Sequence, residues 1–120
     1  MGFSLGSHTD THPILARLEP DDARREIEAG KRRVEELAGG RVSLFAYPNG
    51  FPGRDYSTVT VELVRAAGFD AAVSASPGAA RIGCDLYQIP RFTPWDRHPT
   101  KFTARMLHNL ASVAPTYAHI

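Results

Sequence analysis

Residues 6–13 of the chain read Gly-Ser-His-Thr-Asp-Thr-His-Pro, and this stretch restricts the number of possible folds more than any other. It sets His8 and His12 four positions apart. On one helical turn, positions i and i+4 bring their Cβ atoms to roughly 5–6 Å. Two imidazoles at that separation can bind one cation at about 2.0–2.1 Å from each nitrogen. In an extended strand they would lie about 13 Å apart. Because Pro13 disfavours helical dihedrals at His12, we expect a strand at residues 3–6 that leads into one tight turn.

The remaining segments alternate between helical and strand patterns. Helices are predicted at residues 20–38, 57–67 and 99–112, and further strands at residues 42–46, 71–75 and 87–92. Asp21 and Asp22 suit the positive end of the first helix dipole, and Ser57 is a potential N-cap of the second helix. The last helix is expected to be apolar on one face, with these residues: Phe102, Met106, Leu110 and Val113. Alternation of this kind predicts an α/β fold with parallel β-α-β units.

The position of the two histidines along the chain supports a functional role for the pair. By itself this spacing is a weak signal, because surface histidines four apart also occur by chance. In parallel α/β folds, however, functional sites gather at the carboxyl ends of strands. Residues 8–12 directly follow one predicted strand, and residues 47–50 directly follow another. The sequence therefore predicts a site that both segments share.

Composition limits the number of domains and the classes of protein to which the chain can belong. The chain has 120 residues, 42% of them hydrophobic, and a net charge of +1, which suggests a single domain over residues 1–120. This charge balance gives no sign of a nucleic-acid partner, and no run reaches the ~20 apolar residues of a membrane span. Since no signal peptide is visible, a cytoplasmic protein is the default expectation. Cys84 is the only cysteine, so an internal disulfide and a thiolate zinc site are excluded.

Taken together, three pieces of the chain resemble the polysaccharide deacetylase family, the NodB-homology carbohydrate esterases. Residues 6–13 look like the metal-binding His-Ser/Thr-x-x-His motif of that family. Residues 45–50, Phe-Ala-Tyr-Pro-Asn-Gly, look like its groove-wall motif, and residues 68–73 with 89–92 resemble later family segments. The resemblance implies a distorted (β/α) barrel. This chain would form a partial barrel that lacks the first βα unit or units.

The activity implied by the resemblance is metal-dependent hydrolysis of acetyl groups on sugars. The expected substrate is an N-acetylated sugar polymer or its precursor, and the expected cofactor is a divalent metal, zinc being the first choice. His8 and His12 would be the nitrogen ligands of the ion. The backbone N–H of Asn49 matches the family position that helps to bind the oxyanion.

Further candidate residues follow from the same resemblance. Tyr47, Pro48 and Gly50 complete the groove-wall segment around Asn49, although an ordinary turn is the alternative for these residues. Arg91 and Trp95 could line a sugar groove, and a place in the core is the alternative for Trp95. His108, in Met-Leu-His, faintly resembles the Leu-x-His motif of the general acid, but it falls in a helical pattern.

The sequence also departs from the family pattern. The Thr-Phe-Asp-Asp-Gly motif, which supplies the third metal ligand and the catalytic base, lies upstream of the histidines in the family. Here seven residues precede His8, and no equivalent occurs elsewhere. Asp10 is expected to point away from the pair, and Ala46 replaces a family arginine. We therefore expect an amino-terminally truncated member that is weakly active or inactive alone.

Two alternatives to this expectation remain open. One is a non-catalytic carbohydrate-binding or scaffold protein of the same fold. The other is a natural protein that begins upstream of Met1. A missing strand would leave sheet edges unpaired, and a second copy of the chain could cover them.

Overall fold

Strands and helices alternate along the chain, which is described from residue 2 to residue 112 by a computed structural model. The strands are β1 (Gly6–Ser7), β2 (Leu44–Ala46) and β3 (Ala71–Val73). The helices are α1 (Pro20–Ala38), α2 (Thr58–Ala66) and α3 (Pro99–Ala111), and a short 3-10 helix spans Leu15–Arg17. The strands form one parallel sheet in the order β1-β2-β3. The predicted parallel β-α-β alternation is therefore confirmed.

The two faces of the sheet differ in what they contact. Ser7, Phe45 and Ala72 are in register across the three strands, and all three are buried. Phe45 and Ala72 belong to the same buried cluster as Ile27 of α1 and Val64 of α2. The opposite row includes Leu44, which is 41% exposed, and it borders an apolar cavity of about 270 Å³. Within residues 2–112 the helices cover one face of the sheet, so closure into a barrel stays a prediction.

The helix boundaries follow from local sequence signals. Pro20 suits the first turn of α1 because its missing N–H would have no intrahelical partner there, and Gly39 ends this helix with a left-handed φ of 73°. Ser57 caps α2 in a capping box with Thr60. The prediction for α1 is confirmed residue for residue, α2 is one residue shorter than predicted at each end, and α3 is one residue shorter at its carboxyl end.

The predicted strands are all corrected in extent: β2 begins two residues later than predicted and β3 ends two residues earlier, and the segments at residues 3–6 and 87–92 differ more. The first strand is Gly6–Ser7, and Phe3 before it is 90% exposed. In residues 87–92 the pairing with β3 is an isolated bridge at Ile89. The amide of Tyr87 donates to the Asp85 side chain and that of Gln88 to the Asp85 carbonyl. Ile89 donates to the Ala72 carbonyl and accepts from the Ser74 amide, whereas the next donor in line, the Arg91 amide, donates to the Ser76 carbonyl. The pairing therefore does not extend into a ladder.

The largest buried side chains are aromatic and surround the end of β2. Tyr47 stacks on Tyr56 with ring centroids 3.9 Å apart, and it meets Phe45 edge-on at 5.3 Å. The Tyr47 hydroxyl donates to the Tyr87 carbonyl at 2.8 Å. Burial raises the pKa of the Tyr47 phenol, so this hydroxyl remains a donor. The Tyr47 side chain is fully buried and supports the groove-wall segment from the core instead of facing a groove.

Helix α3 packs differently from the predicted apolar face. Its buried residue is Asn109, whose side-chain oxygen accepts from the Gly78 amide at 2.9 Å. Phe102 and Leu110 are 40% and 60% exposed, and Val113 lies outside the described residues. None of the helices within residues 2–112 combines the length and the apolar composition that crossing a bilayer requires.

The Tyr47 hydroxyl provides a test of the core. Tyr47→Phe keeps the aromatic stack but removes the donor to the Tyr87 carbonyl in this partly buried bond. We expect a loss of about 1–2 kcal/mol in the free energy of unfolding, measured by urea denaturation. Trp95→Phe, at a position that is 84% exposed, should stay within about 0.5 kcal/mol of the parent. Equal stability of both variants would contradict a stabilising role for this hydroxyl.

Candidate functional site

The two motif histidines lie side by side at the carboxyl end of β1. Their ring centroids are 4.7 Å apart, and the ring planes are inclined at 66°. Both side chains are exposed. The turn between them is not helical, because Thr9 has φ = 67° and His12 has φ = 62°. The predicted closeness of His8 and His12 is thus found, but it arises from left-handed residues and not from a helical i, i+4 repeat.

Thr9 holds this turn together from within. Its hydroxyl accepts a hydrogen bond from the His12 amide at 3.1 Å and donates one to the His8 carbonyl. A left-handed φ is strained for a β-branched residue, so these two bonds offset part of its cost. Because both involve the backbone of a histidine, they fix the turn at the two residues that carry the rings.

A hydrogen bond determines which ring nitrogen of His8 is free to bind a metal ion. Its Nδ1 lies 2.7 Å from the Ala46 carbonyl oxygen at the end of β2. A carbonyl oxygen can only accept, so Nδ1 carries a proton, and in the neutral ring Nε2 then has the free lone pair. Such a second hydrogen bond is typical of histidines that bind metals. The backbone supplies this acceptor, so the change from arginine to Ala46 does not remove it.

Helix α1 contacts the same turn from the other side. The Glu26 carboxylate accepts from the amides of Asp10 and Thr11 at 3.1 and 2.9 Å, and from the Thr11 hydroxyl at 2.7 Å. Burial raises the pKa of Glu26, but these bonds outweigh it and the pKa is lowered. The Asp10 carboxylate pairs with Arg33 at 2.8 Å. Asp10 is therefore engaged by α1 and does not face the histidines as a third ligand.

The groove-wall segment forms a tight turn next to this site. Asn49 has φ = 59° and Gly50 has φ = 81°. A Cβ on Gly50 would lie 2.9 Å from the Ala75 amide nitrogen, and that amide donates to the Gly50 carbonyl at 2.7 Å. Pro48 is buried like its neighbour, whereas Asn49 is exposed. The turn thus presents Asn49 to solvent, and its assignment as an oxyanion donor stays a prediction.

Asp55 supports the loop that follows this turn. It is 3% exposed, accepts from the Phe51 amide at 2.9 Å and pairs with Arg54 at 2.9 Å. The Arg54 guanidinium lowers the pKa of Asp55, against the opposing effect of burial. The Asp55 carbonyl also accepts from the Ala16 amide at 3.0 Å, which ties this loop to the 3-10 helix that follows the histidines.

The other predicted residues lie on exposed surface. Trp95 is 84% exposed, so the alternative of a core position is wrong. Arg91 is also exposed, and its amide donates to the Ser76 carbonyl at 3.0 Å. His108 is exposed on α3, and the structure of residues 2–112 shows no bond or ring contact between it and the histidine pair. Roles in substrate binding or acid catalysis remain predictions for these three residues.

The histidine pair offers a metal ion two nitrogen ligands, one from His8 and one from His12. Across residues 2–112, no group of three or more His, Cys, Asp and Glu side chains is arranged to hold one. Imidazole is a good ligand for zinc, and the tautomer of His8 leaves its Nε2 free. The pair therefore fits part of a zinc site, with the other positions left to further ligands.

Sequence reasoning missed the residues that support the histidines. Glu26 and Gly30 lie within the helix predicted at residues 20–38, and the helical pattern assigned neither of them a contact with the histidine turn. A Cβ on Gly30 would lie 2.4 Å from the Thr9 carbonyl carbon, so the helix needs glycine where the turn crosses it. The available signal was a glycine in the interior of a long helix, which usually has a packing reason.

Comparison with known proteins agrees with this geometry. A family profile described as Polysaccharide deacetylase matches residues 1–72, which include both motif segments. The chain belongs to the polysaccharide deacetylase family. It is 27% identical over 90 residues to a putative polysaccharide deacetylase, YxkH, of Bacillus subtilis (strain 168). The match covers 75% of this chain and 31% of that protein, so the chain spans about a third of the curated relative's length.

Two solved structures share the fold. The Streptococcus pyogenes deacetylase PplD, in complex with acetate, superposes with a TM-score of 0.65 at 24% identity, over 71% of this chain and 36% of that one. IcaB from Ammonifex degensii gives a TM-score of 0.60 at 24% identity, over 86% of this chain and 46% of that one. The α/β arrangement of this chain is therefore similar to part of each of these structures.

The close approach of the turn to α1 can be tested at Gly30. Gly30→Ala would favour the helix by about 0.5–1 kcal/mol in the absence of contacts, but its Cβ would clash with the Thr9 backbone. We expect a net destabilisation of about 1–3 kcal/mol and amide NMR shifts centred on residues 8–12. Gly40→Ala is the matched control, because no atom lies within 4 Å of its added Cβ. If Gly30→Ala were more stable than the parent, the Thr9 backbone could move away from the added Cβ at little cost, which would contradict this prediction.

Acid should weaken the loop that Asp55 supports. Since the folded-state pKa of Asp55 is lowered, its contribution is present above the unfolded value of about 3.9 and is lost as the pH falls through the folded value. Asp55→Asn should therefore be less stable than the parent at pH 7, with a smaller difference near pH 3, measured by urea midpoints. Glu36→Gln, at an exposed position, should follow the parent at both pH values. A pH-independent difference for Asp55→Asn would contradict this.

Proposed function

We propose that this chain forms the metal-binding part of a carbohydrate deacetylase, which hydrolyses the acetyl amide of an amino-sugar polymer or its precursor. The observation that carries the proposal is the pair His8 and His12, with ring centroids 4.7 Å apart and the Nδ1–H of His8 bound to a carbonyl. Family membership supports the reaction class. Because the chain spans about a third of the curated relative's length, the reaction itself is part of the proposal.

In this proposal each segment has a defined task. His8 and His12 would hold a divalent ion, zinc by the chemistry of its donors. When bound, such an ion polarises the acetyl carbonyl and lowers the pKa of a coordinated water to about 7. The hydrogen bond to Ala46 orients the His8 ring. The exposed Asn49 would offer its backbone N–H to the oxygen on which negative charge develops.

We further propose that turnover by the chain alone is weak or absent. Hydrolysis of this kind needs a general base within reach of the attacking water, and catalytic zinc sites usually have three protein ligands. Within residues 2–112 the pair has two nitrogens and no third partner. A complete site would therefore take a carboxylate from elsewhere, either in a longer polypeptide or in an associated chain.

Zinc binding by the full chain tests the assignment of the ligands. We expect the double variant His8→Ala, His12→Ala to lose zinc affinity by about 100-fold or more, because both first ligands are removed. Isothermal titration calorimetry gives the affinity, and circular dichroism checks that the variant is folded. His98→Ala is the control and should bind zinc like the parent. Unchanged affinity in the double variant would refute the metal assignment.

Acetate release from an N-acetylglucosamine oligomer tests the reaction. With zinc present, we expect little or no acetate from this chain alone. Rapid release would contradict the proposed need for a further carboxylate. If the chain binds the oligomer equally well after chelation and releases no acetate even when zinc is added, a non-catalytic carbohydrate-binding protein of the same fold becomes the better description.

A further inference from the structure

Glu26 of α1 contacts the stretch of backbone that joins the two histidines. Its carboxylate accepts the amide hydrogens of Asp10 and Thr11, the two residues at the middle of the turn, and also the Thr11 hydroxyl hydrogen. A charged acceptor makes these bonds stronger than neutral ones. Three bonds to one carboxylate therefore fix the direction of two consecutive peptide planes between the rings.

The same face of α1 holds the turn at two more points. Gly30 and Arg33 lie four and seven positions after Glu26, which places all three on one side of the helix. The Thr9 backbone rests on Gly30, where a Cβ would lie within 2.4–2.8 Å of it. Arg33 pairs with Asp10 at 2.8 Å. Helix α1 therefore contacts each of the three residues between the histidines, residues 9–11.

The backbone of the turn needs such external support. Thr9 and His12 are both left-handed, a conformation that persists in residues other than glycine when the surroundings over-determine it. If the carboxylate were removed, the amides of Asp10 and Thr11 would be free to turn towards water. The dihedrals next to them would then relax, and the two rings would no longer share one orientation.

We propose that Glu26 is a positioning residue for the histidine pair, which acts through the turn backbone and not by contact with the metal. This inference rests on the proposed function, since it assumes that His8 and His12 bind the ion. A metal site requires its ligands to be held within about 0.5 Å of the productive geometry. Glu26 supplies that precision from a helix.

Zinc affinity of the full chain and of Glu26 variants provides the test. Glu26→Ala should weaken zinc binding by about 10-fold or more, the range found when the shell around metal ligands is disrupted. Glu26→Gln should restore part of the loss, because an amide oxygen still accepts from N–H groups but carries no charge. Glu36→Ala, an exposed glutamate on the same helix, should bind zinc like the parent.

Nitrogen NMR of the imidazoles separates positioning from a merely structural role. In the folded parent we expect the Nδ1–H tautomer of His8, and in folded Glu26→Ala a mixture of tautomers. A variant with a lower melting temperature but an unchanged tautomer and unchanged zinc affinity would overturn the inference. If Glu26→Ala fails to fold, Thr11→Val removes one bond at an exposed position and should weaken zinc binding about two- to tenfold; unchanged affinity there would also overturn it.

The two proposals can fail separately. If the double variant His8→Ala, His12→Ala keeps full zinc affinity, the metal site itself is wrong. If that variant loses affinity while Glu26→Ala binds within twofold of the parent, the metal site stands and the role of Glu26 is refuted.

Discussion

The backbone of Thr9 lies directly on Gly30, closer to α1 than any side chain would permit. This approach allows the end of β1 to pack against the middle of a 19-residue helix. It also brings the amides of Asp10 and Thr11 within hydrogen-bond reach of Glu26. The turn that carries the histidines therefore has its position set by a helix, and the site depends on that one contact between backbone and helix.

The parallel sheet brings the second motif to the same place. Because β1 and β2 run in the same direction, their carboxyl ends meet, and the His8 ring reaches the Ala46 carbonyl. All three residues other than glycine with positive φ within residues 2–112 lie in these two segments: Thr9, His12 and Asn49. Strained backbone of this kind tends to collect at functional sites. The aromatic core beneath β2 supplies the packing that holds it.

The family match and the candidate site coincide along the chain. Residues 1–72 carry the match, and both histidines and the groove-wall turn fall inside it. Arg91, Trp95 and His108 fall beyond it, on exposed surface and far along the chain from the motifs. The helix-covered face of the sheet is well packed, whereas the face with Leu44 borders an apolar cavity. The histidine pair and its supports are thus better defined in this chain than the residues predicted to line a sugar groove.

The sequence by itself determined the order of elements, the extent of α1 and the cap at Ser57, because these follow from local periodicity and capping. It also predicted that His8 and His12 lie close together, although a left-handed turn and not the expected helical turn brings them there. Tertiary structure decided the rest. It buried Tyr47 against Phe45 and Tyr56, with its hydroxyl bound to the Tyr87 carbonyl. It reduced residues 87–92 to a bridge at Ile89, because the Tyr87 amide donates to Asp85 and the Arg91 amide donates to Ser76. It also placed the turn of residues 9–11 against Glu26 and Gly30. The helical pattern of α1 could not predict this, because the pattern does not show which part of the chain packs on the helix.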